Sequence, residues 1–300
     1  INEKFINDLK GKNKTLKKDF NILKEHIINA SKYLEENNSA FTKFELFKEA
    51  LKYGLDKNYS IKDYEECLEN HITDKELIKF TNGYYSTPRV YEAEQEVVNA
   101  INDKNYSISE KFGITKEQIN SYIENSKFIS FTDGQREMFE NILTSNHQFT
   151  IVQGSAGTGK TFSMEALEDF LKGTNVEIVG MSFTGKATEN LQKDSNIFSN
   201  TIAKFIINEN KRTDNEKKQR LIIIDEAGMS GSLDLYELQK IAKKNNDKII
   251  FVGDKKQLQA VSQGKLFSET QKKSENIVFL EETKRFKTEF AKELVSEITK

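Results

Sequence analysis

The sequence predicts an α/β protein: a parallel sheet with helices on both faces, preceded by a mainly helical domain. Three observations carry this. Short apolar runs at 149–152, 176–181, 221–224 and 249–252, punctuated by glycine, alternate with helical patterns, the texture of strands buried on both faces. Before residue 131 such runs are missing, and hydroxyl–carboxylate pairs at helix-start spacing recur instead. Nearest the amino end, Leu16, Phe20, Leu23, Ile27, Ala30 and Leu34 are spaced by three and four residues, one apolar stripe of a packing helix over 14–35.

The elements follow in order. Thr42 with Glu45, Ser60 with Asp63 and Thr73 with Glu76 each resemble a capping box, in which hydroxyl and carboxylate satisfy free amides at a helix start. Asp63 is shorter than the usual Glu or Gln. Asn82 and Gly83 then sit in a turn between 77–80 and 84–87, a hairpin signal. Three short helices and a hairpin is the order of a winged helix, a module that either touches DNA or serves as a packing unit. Residues 91–104 and 107–126 read as two more helices, the second broken near Gly113, with Thr115 and Gln118 as a further box. Residues 126–130 read as a linker. The expected organisation is therefore an N-terminal helix and linker (1–36), a helical winged-helix-like domain (37–126) and the sheet domain (127–300).

The totals bound the function. The 300 residues leave room for two domains of about 150 residues each. With 36% hydrophobic and 31% charged residues the chain builds ordinary cores, and no run approaches the ~18 apolar residues of a membrane span. The opening INEKFINDLK lacks the apolar stretch of a signal peptide, so a cytoplasmic protein with no membrane partner is expected. It starts on Ile1 rather than Met, as expected of a segment from a longer polypeptide. Cys67 is the single cysteine and reads as a small buried hydrophobe. His26, His71 and His147 show no metal-ligand spacing. A net charge of −2 argues against a generally basic surface and confines any nucleic-acid contact to a local stripe. The segment 211–220 (KRTDNEKKQR) reads as solvated surface, or as a stretch that lies along a phosphate backbone.

The chemistry begins at Gly154, Ser155, Ala156, Gly157, Thr158, Gly159, Lys160 and Thr161, which fit the phosphate-loop pattern GxxxxGK[ST] in full. A strand precedes them and a helical run follows, the context the mechanism needs. Backbone amides and the helix start cradle phosphates. Lys160 reaches the β- and γ-phosphates, and the Thr161 hydroxyl ligates magnesium. At 221–227 the run LIIIDEA ends a buried strand in two carboxylates. Asp225 suits a magnesium ion, and Glu226 suits orienting and deprotonating a water, so hydrolysis of a bound nucleoside triphosphate, rather than mere binding, is the expected chemistry. The run at 249–252 leads into Asp254 and Gln257, polar groups at a strand's carboxyl end, where open α/β sheets bind ligands. Gln257 is placed to sense the γ-phosphate. Gln135, in FTDGQR, has two readings. It completes a capping box with Thr132, or it presents its amide to an adenine edge.

The ordered set FTDGQR, GSAGTGKT, SFTGKATENL, TIAKF, IIIDEAGMSG, VGDKKQLQAV and LEETKRF resembles the first motor domain of superfamily 1B, RecD-like helicases. It is most similar to the helicase portion of TraA/TraI-type conjugative relaxases, over roughly residues 35–300. The resemblance implies a RecA-like P-loop NTPase fold that uses ATP and Mg2+ to move 5′ to 3′ along single-stranded DNA during conjugative transfer. It implies that Gln135 recognises adenine, that Thr184, Gly185 and Lys186 touch single-stranded DNA, and that Thr201, Ile202 and Phe205 form a second strand-facing loop. It also implies Arg285 as an arginine finger. Phe183 stands where the pattern has proline, either stacking on a base or packing beneath the loop, and Ala203 replaces a frequent histidine. A second motor domain is expected after residue 300 and a relaxase domain before Ile1. The rival expectations are a vestigial helicase-like module that only grips single-stranded DNA, and a RecD-type repair helicase.

Overall fold

The computed structural model describes residues 20–36, 38–54, 59–104, 106–209, 211, 218–254 and 265–280. The chain divides into two compact units, Ile1–Tyr91 and Glu92–Lys300.

The first unit runs α1 (Phe20–Glu35), β1 (Phe41–Thr42), α2 (Lys43–Tyr53), α3 (Ile61–Thr73), β2 (Ile78–Lys79) and β3 (Tyr84–Ser86). Its three strands lie in the order β1-β3-β2 with both pairs antiparallel, the winged-helix arrangement. Of the predicted stripe, Leu23, Ile27 and Ala30 of α1 are buried and share one core with Phe41, Leu46, Tyr64 and Tyr85, and Leu34 packs against it. Phe20 at the start of the helix is exposed, and Leu16 lies outside the described residues. The helix therefore belongs to the winged-helix core and is not a linker ahead of it. At α2 the capping box is complete, with Glu45 N donating to Thr42 Oγ1 and Thr42 N donating to Glu45 Oε2. Ser60 N likewise donates to Asp63 Oδ2 ahead of α3.

The third predicted helix start does not exist. Thr73 is the last residue of α3, its hydroxyl donating back to Glu69 O. Glu76 instead pairs with Lys24 at 2.7 Å and faces the buried His71. Hydroxyl–carboxylate spacing alone starts no helix when the following apolar residues take strand geometry, as Ile78 does.

The second unit contains most of α4 (Pro88–Ala100), which begins in the first, then α5 (Ile108–Phe112), α6 (Lys116–Glu124), α7 (Asp133–Thr144) and β4 (Phe149–Gly154). Next come α8 (Lys160–Leu171), β5 (Val176–Ser182), α9 (Gly185–Ser195), β6 (Ser199–Thr201), α10 (Ile202–Glu209) and β7 (Gln219–Ile224). The last elements are α11 (Ser232–Asn245), β8 (Lys248–Gly253), α12 (Lys265–Lys273) and β9 (Ile277–Leu280). The six strands form one parallel sheet in the order β6-β5-β7-β8-β4-β9. Alternating side chains serve opposite faces. Leu221, Ile223, Ile250 and Val252 pack with α5 to α9, while Ile222, Ile224, Ile249 and Phe251 pack with α4, α10 and α11.

Two features differ from the sequence reading. The boundary was expected at 126/127, yet Ile108, Ile119 and Ile123 of α5 and α6 are buried in the sheet's own core. These short helices carry too little apolar surface to cover themselves. The presumed linker over 126–130 is a 3-10 turn, Lys127–Ser130, capped by Ser126 Oγ. Its Phe128 is fully buried among Tyr122, Phe131 and Phe162.

At the amino edge of the sheet, the charge-rich segment read as solvated ends in a buried residue. Arg220 is 2% exposed. Its guanidinium donates to Asp247 Oδ2 at 2.6 Å and to Glu209 Oε2, and lies over the Phe205 ring. The triad ties the end of α10 to β7 and to the turn before β8. Beside it, Lys248 is fully buried, with its ammonium donating to the Ser145 carbonyl.

Candidate nucleotide site

All six strands of this sheet being parallel, their carboxyl ends share one edge, and those predicted site residues that lie among the described residues gather there. β4 delivers Gly154, and the loop 155–159 leads into α8, whose first residues are Lys160 and Thr161. Two glycines are required sterically. Gly159 holds φ 84°, a left-handed backbone that L side chains adopt only with strain, and a β-carbon there would strike the Gln135 amide. At Gly154 a β-carbon would fall 2.8 Å from Thr158 Oγ1 and 2.9 Å from Leu280 Cβ. Within the loop, Thr158 Oγ1 donates to Ser155 O at 2.9 Å. The Lys160 ammonium donates to the Gly154 and Ser155 carbonyls, folded over the cradle that α8's amino-terminal amides face. Ser155, Gly157 and Thr161 are half-buried and Ala156 is exposed.

Two positions across, β7 ends at Ile224 and hands over to Asp225 and Glu226. Asp225 N donates to Met181 O of β5 at 2.9 Å, which fixes the turn. Burial raises the Asp225 pKa above the ordinary aspartate value. The backbone hydrogen bond from Glu226 and the Lys160 ammonium act against this, while the Glu226 charge adds to it. A half-buried carboxylate so poorly compensated, with the hydroxyl of Thr161 as the second candidate ligand, is a hard-oxygen donor set that fits Mg2+. Glu226 is exposed and adopts φ 53°, ψ 40°. Among the described residues no group of three or more His, Cys, Asp or Glu side chains could hold a metal on its own.

Between the strands of Asp225 and the phosphate loop lies β8, followed by Asp254, 9% exposed. Asp254 Oδ1 accepts from Gln153 Nε2 at 3.4 Å, and Gln153 Oε1 accepts from Gln271 Nε2 on α12. Gln153 and Gln271 went unnoticed in the sequence, although a glutamine closing an apolar strand is the signal that marks the first. Gln257 and Arg285 lie outside the described residues.

Gln135 sits in the third position of α7, fully buried. Its Oε1 accepts from Thr132 N at 3.1 Å, and its Nε2 donates to the Thr158 carbonyl at 2.9 Å. The amide thus serves helix cap and phosphate loop together.

The residues expected to meet DNA occupy the other half of the same edge. β5 ends in Ser182, paired with Thr201 of β6, so Phe183 and Thr201 emerge from adjacent strands. Phe183 is 36% exposed. Thr184 caps α9 by accepting from Ala187 N, and Gly185 and Lys186 are exposed. Thr201 Oγ1 accepts from Lys204 N ahead of α10. Of the other two residues of that loop, Ile202 and Phe205 are buried in the core and leave Thr201 as its accessible member. A β-carbon at Gly185 would meet open space.

The AAA domain family model (AAA_30) matches residues 130–300. The chain is 28% identical over 155 residues to "Probable conjugal transfer protein TraA" of Sinorhizobium fredii, covering 52% of this chain and 14% of that protein. It is 24% identical over 266 residues to "Multifunctional conjugation protein TraI" of Escherichia coli, covering 84% of this chain and 15% of that one. The likeness to TraA and TraI expected from the motifs is therefore present, and the chain spans about a seventh of those relatives' length. Among solved structures, the UvsW helicase from bacteriophage T4 superimposes with a TM-score of 0.42 at 11% identity, over 67% of this chain and 80% of that one. Among the described residues no helix is long and apolar enough to cross a membrane.

Proposed function

This chain belongs to the AAA domain family, and from that premise we propose that it is the ATP-hydrolysing part of a DNA motor acting on single-stranded DNA in conjugative transfer. One observation carries the reading. A single sheet edge presents Lys160, Asp225, Glu226 and Asp254 from β4, β7 and β8, and Phe183, Thr184 and Thr201 from the neighbouring β5 and β6. Nucleotide chemistry and strand contact would then share one rigid frame.

In this reading the loop 154–161 wraps the triphosphate. Lys160 exchanges its two carbonyl partners for β- and γ-phosphate oxygens. Thr161 and Asp225 would hold Mg2+, which would offset negative charge on the triphosphate. Glu226, exposed at the carboxyl end of β7, takes a proton from the water that attacks the γ-phosphorus, and ADP leaves with phosphate. Gln257 would sense the γ-phosphate, and Arg285 would stabilise the transition state, as such fingers do by ~10³ to 10⁵ in rate. Gly185 admits a nucleic-acid backbone close to the start of α9, and Phe183 offers a ring for a base. The names of the TraA and TraI relatives support conjugative transfer as the setting, and 5′-to-3′ polarity rests on the motif resemblance.

The test is ATP turnover with Mg2+, with and without single-stranded DNA, in the wild-type chain and in Lys160→Ala. Weak turnover from this chain, stimulated by DNA and abolished by the substitution, is expected. Tight DNA binding with no turnover would replace the motor by a strand-gripping module.

A further inference from the structure

We propose that Ser182 is a positioning residue for Asp225: its hydroxyl donates to the Asp225 carboxylate when that carboxylate ligates Mg2+. The inference rests on the magnesium reading above and deepens it. Ser182 is the last residue of β5 and is 1% exposed. Among the described residues its Oγ has no hydrogen-bond partner. Leaving a buried hydroxyl unpaired is costly, and a folded chain that keeps one calls for a physical reason.

The strand register supplies the reason. Met181 of β5 lies opposite Ile224 of β7, and Asp225 N donates to Met181 O at 2.9 Å. The ladder therefore carries Ser182 and Asp225 to neighbouring places. Both side chains also leave the sheet on one face. Val176 and Ile178 of β5 share a core with Leu221 and Ile223 of β7 and with Met164 and Leu167 of α8. Counting on by twos along each strand reaches Ser182 and Asp225. This is the face that α8 covers, and Thr161, the other candidate metal ligand, stands in the first turn of that helix.

The chemistry of the pair is complementary. A carboxylate that ligates a cation is ionised and keeps acceptor capacity that the ion does not use. A neutral O–H donor fits that capacity, and outer hydrogen bonds of this kind hold metal ligands in orientation. Adjacent strands stand about 4.8 Å apart, a gap that a serine hydroxyl and an aspartate carboxylate close between them without backbone movement.

A fluorescent ADP analogue, bound to the chain and titrated with Mg2+, reads the metal directly. Wild type and Ser182→Ala are compared, with the affinity for the analogue in EDTA and a thermal melt without nucleotide beside them. Ser182→Ala removes no hydrogen bond found in the structure, so it should melt at or above wild type and bind the analogue equally well in EDTA. The Mg2+ concentration at half-saturation should rise about tenfold, the lower end of the usual cost of losing such a partner. An unchanged half-saturation overturns the proposal. So does a lower melting temperature with an equal loss of affinity in EDTA, which makes Ser182 a packing residue of β5. If the analogue bound to wild type does not respond to Mg2+, the magnesium reading itself fails, an outcome separate from these.

Discussion

Replacing Lys248 by methionine should stabilise the protein, by an amount that depends on pH. The ammonium is fully buried at the start of β8, and burial pushes its pKa from 10.5 down to about 7. Folding therefore favours the neutral amine, while the unfolded chain keeps its proton up to about pH 10.5. At about 1.4 kcal/mol per pH unit, that gap costs the fold about 4 kcal/mol near neutrality. Methionine has similar length and no charge to desolvate. It leaves the Ser145 carbonyl without its Lys248 donor, a loss of about 1–3 kcal/mol. The net expectation is a gain of about 1–3 kcal/mol at pH 7. The sign follows from proton counting. A folded-state pKa below the unfolded one means that wild-type stability is flat below about pH 7 and rises above it. The advantage of methionine should then shrink by about 2 kcal/mol between pH 7 and pH 9. Urea denaturation of both proteins at the two pH values measures this directly. Lys248 lies at the opposite end of its strand from Asp254, so nucleotide affinity should not change. An advantage equal at both pH values, or a variant less stable at both, would refute the reasoning.

Other predictions follow from the site. Glu226→Gln should keep nucleotide affinity while turnover falls by about 10² to 10⁴, the scale of a lost general base; unchanged steady-state turnover would remove Glu226 from the chemistry. Gly159→Ala should abolish binding of a fluorescent nucleotide. The left-handed φ costs ~1–2 kcal/mol with a side chain, and the added methyl displaces Gln135; retained affinity would contradict the described loop. Phe183→Ala should weaken single-stranded DNA binding by about 1–3 kcal/mol, the value of one stacked base. It should leave the melting temperature unchanged because the ring is already partly exposed. A lower melting temperature with intact DNA binding would make Phe183 a packing residue.

Much of the sheet was legible because buried parallel strands write themselves as apolar runs. β4, β5, β7 and β8 all stand at their predicted places. β6 did not announce itself, since Ser199, Asn200 and Thr201 are half-buried polar residues that become a strand only by pairing with β5. Local spacing misled where longer-range packing decides. The box at Thr73 has the right residue types, but the chain beyond it pairs as a hairpin. The segment at Phe128 has no periodicity to read, yet one aromatic ring in a short turn secures it in the core. For Gln135 the sequence offered cap or base contact. It could not offer the Thr158 carbonyl, which comes within reach only when α7 packs beside α8. Arg220 was hidden in the same way, its two acidic partners lying 11 and 27 residues away.

The left-handed backbone at Glu226 has a consequence for anyone selecting hardier forms of this protein. Glycine or asparagine at that position would relax a conformation that costs roughly 1–2 kcal/mol, and either would discard the carboxylate. A library screened for heat resistance alone would therefore enrich at residue 226 for sturdy, inert variants. On the proposed mechanism, durability and turnover pull this one position in opposite directions, and a screen that rewards both should keep glutamate there.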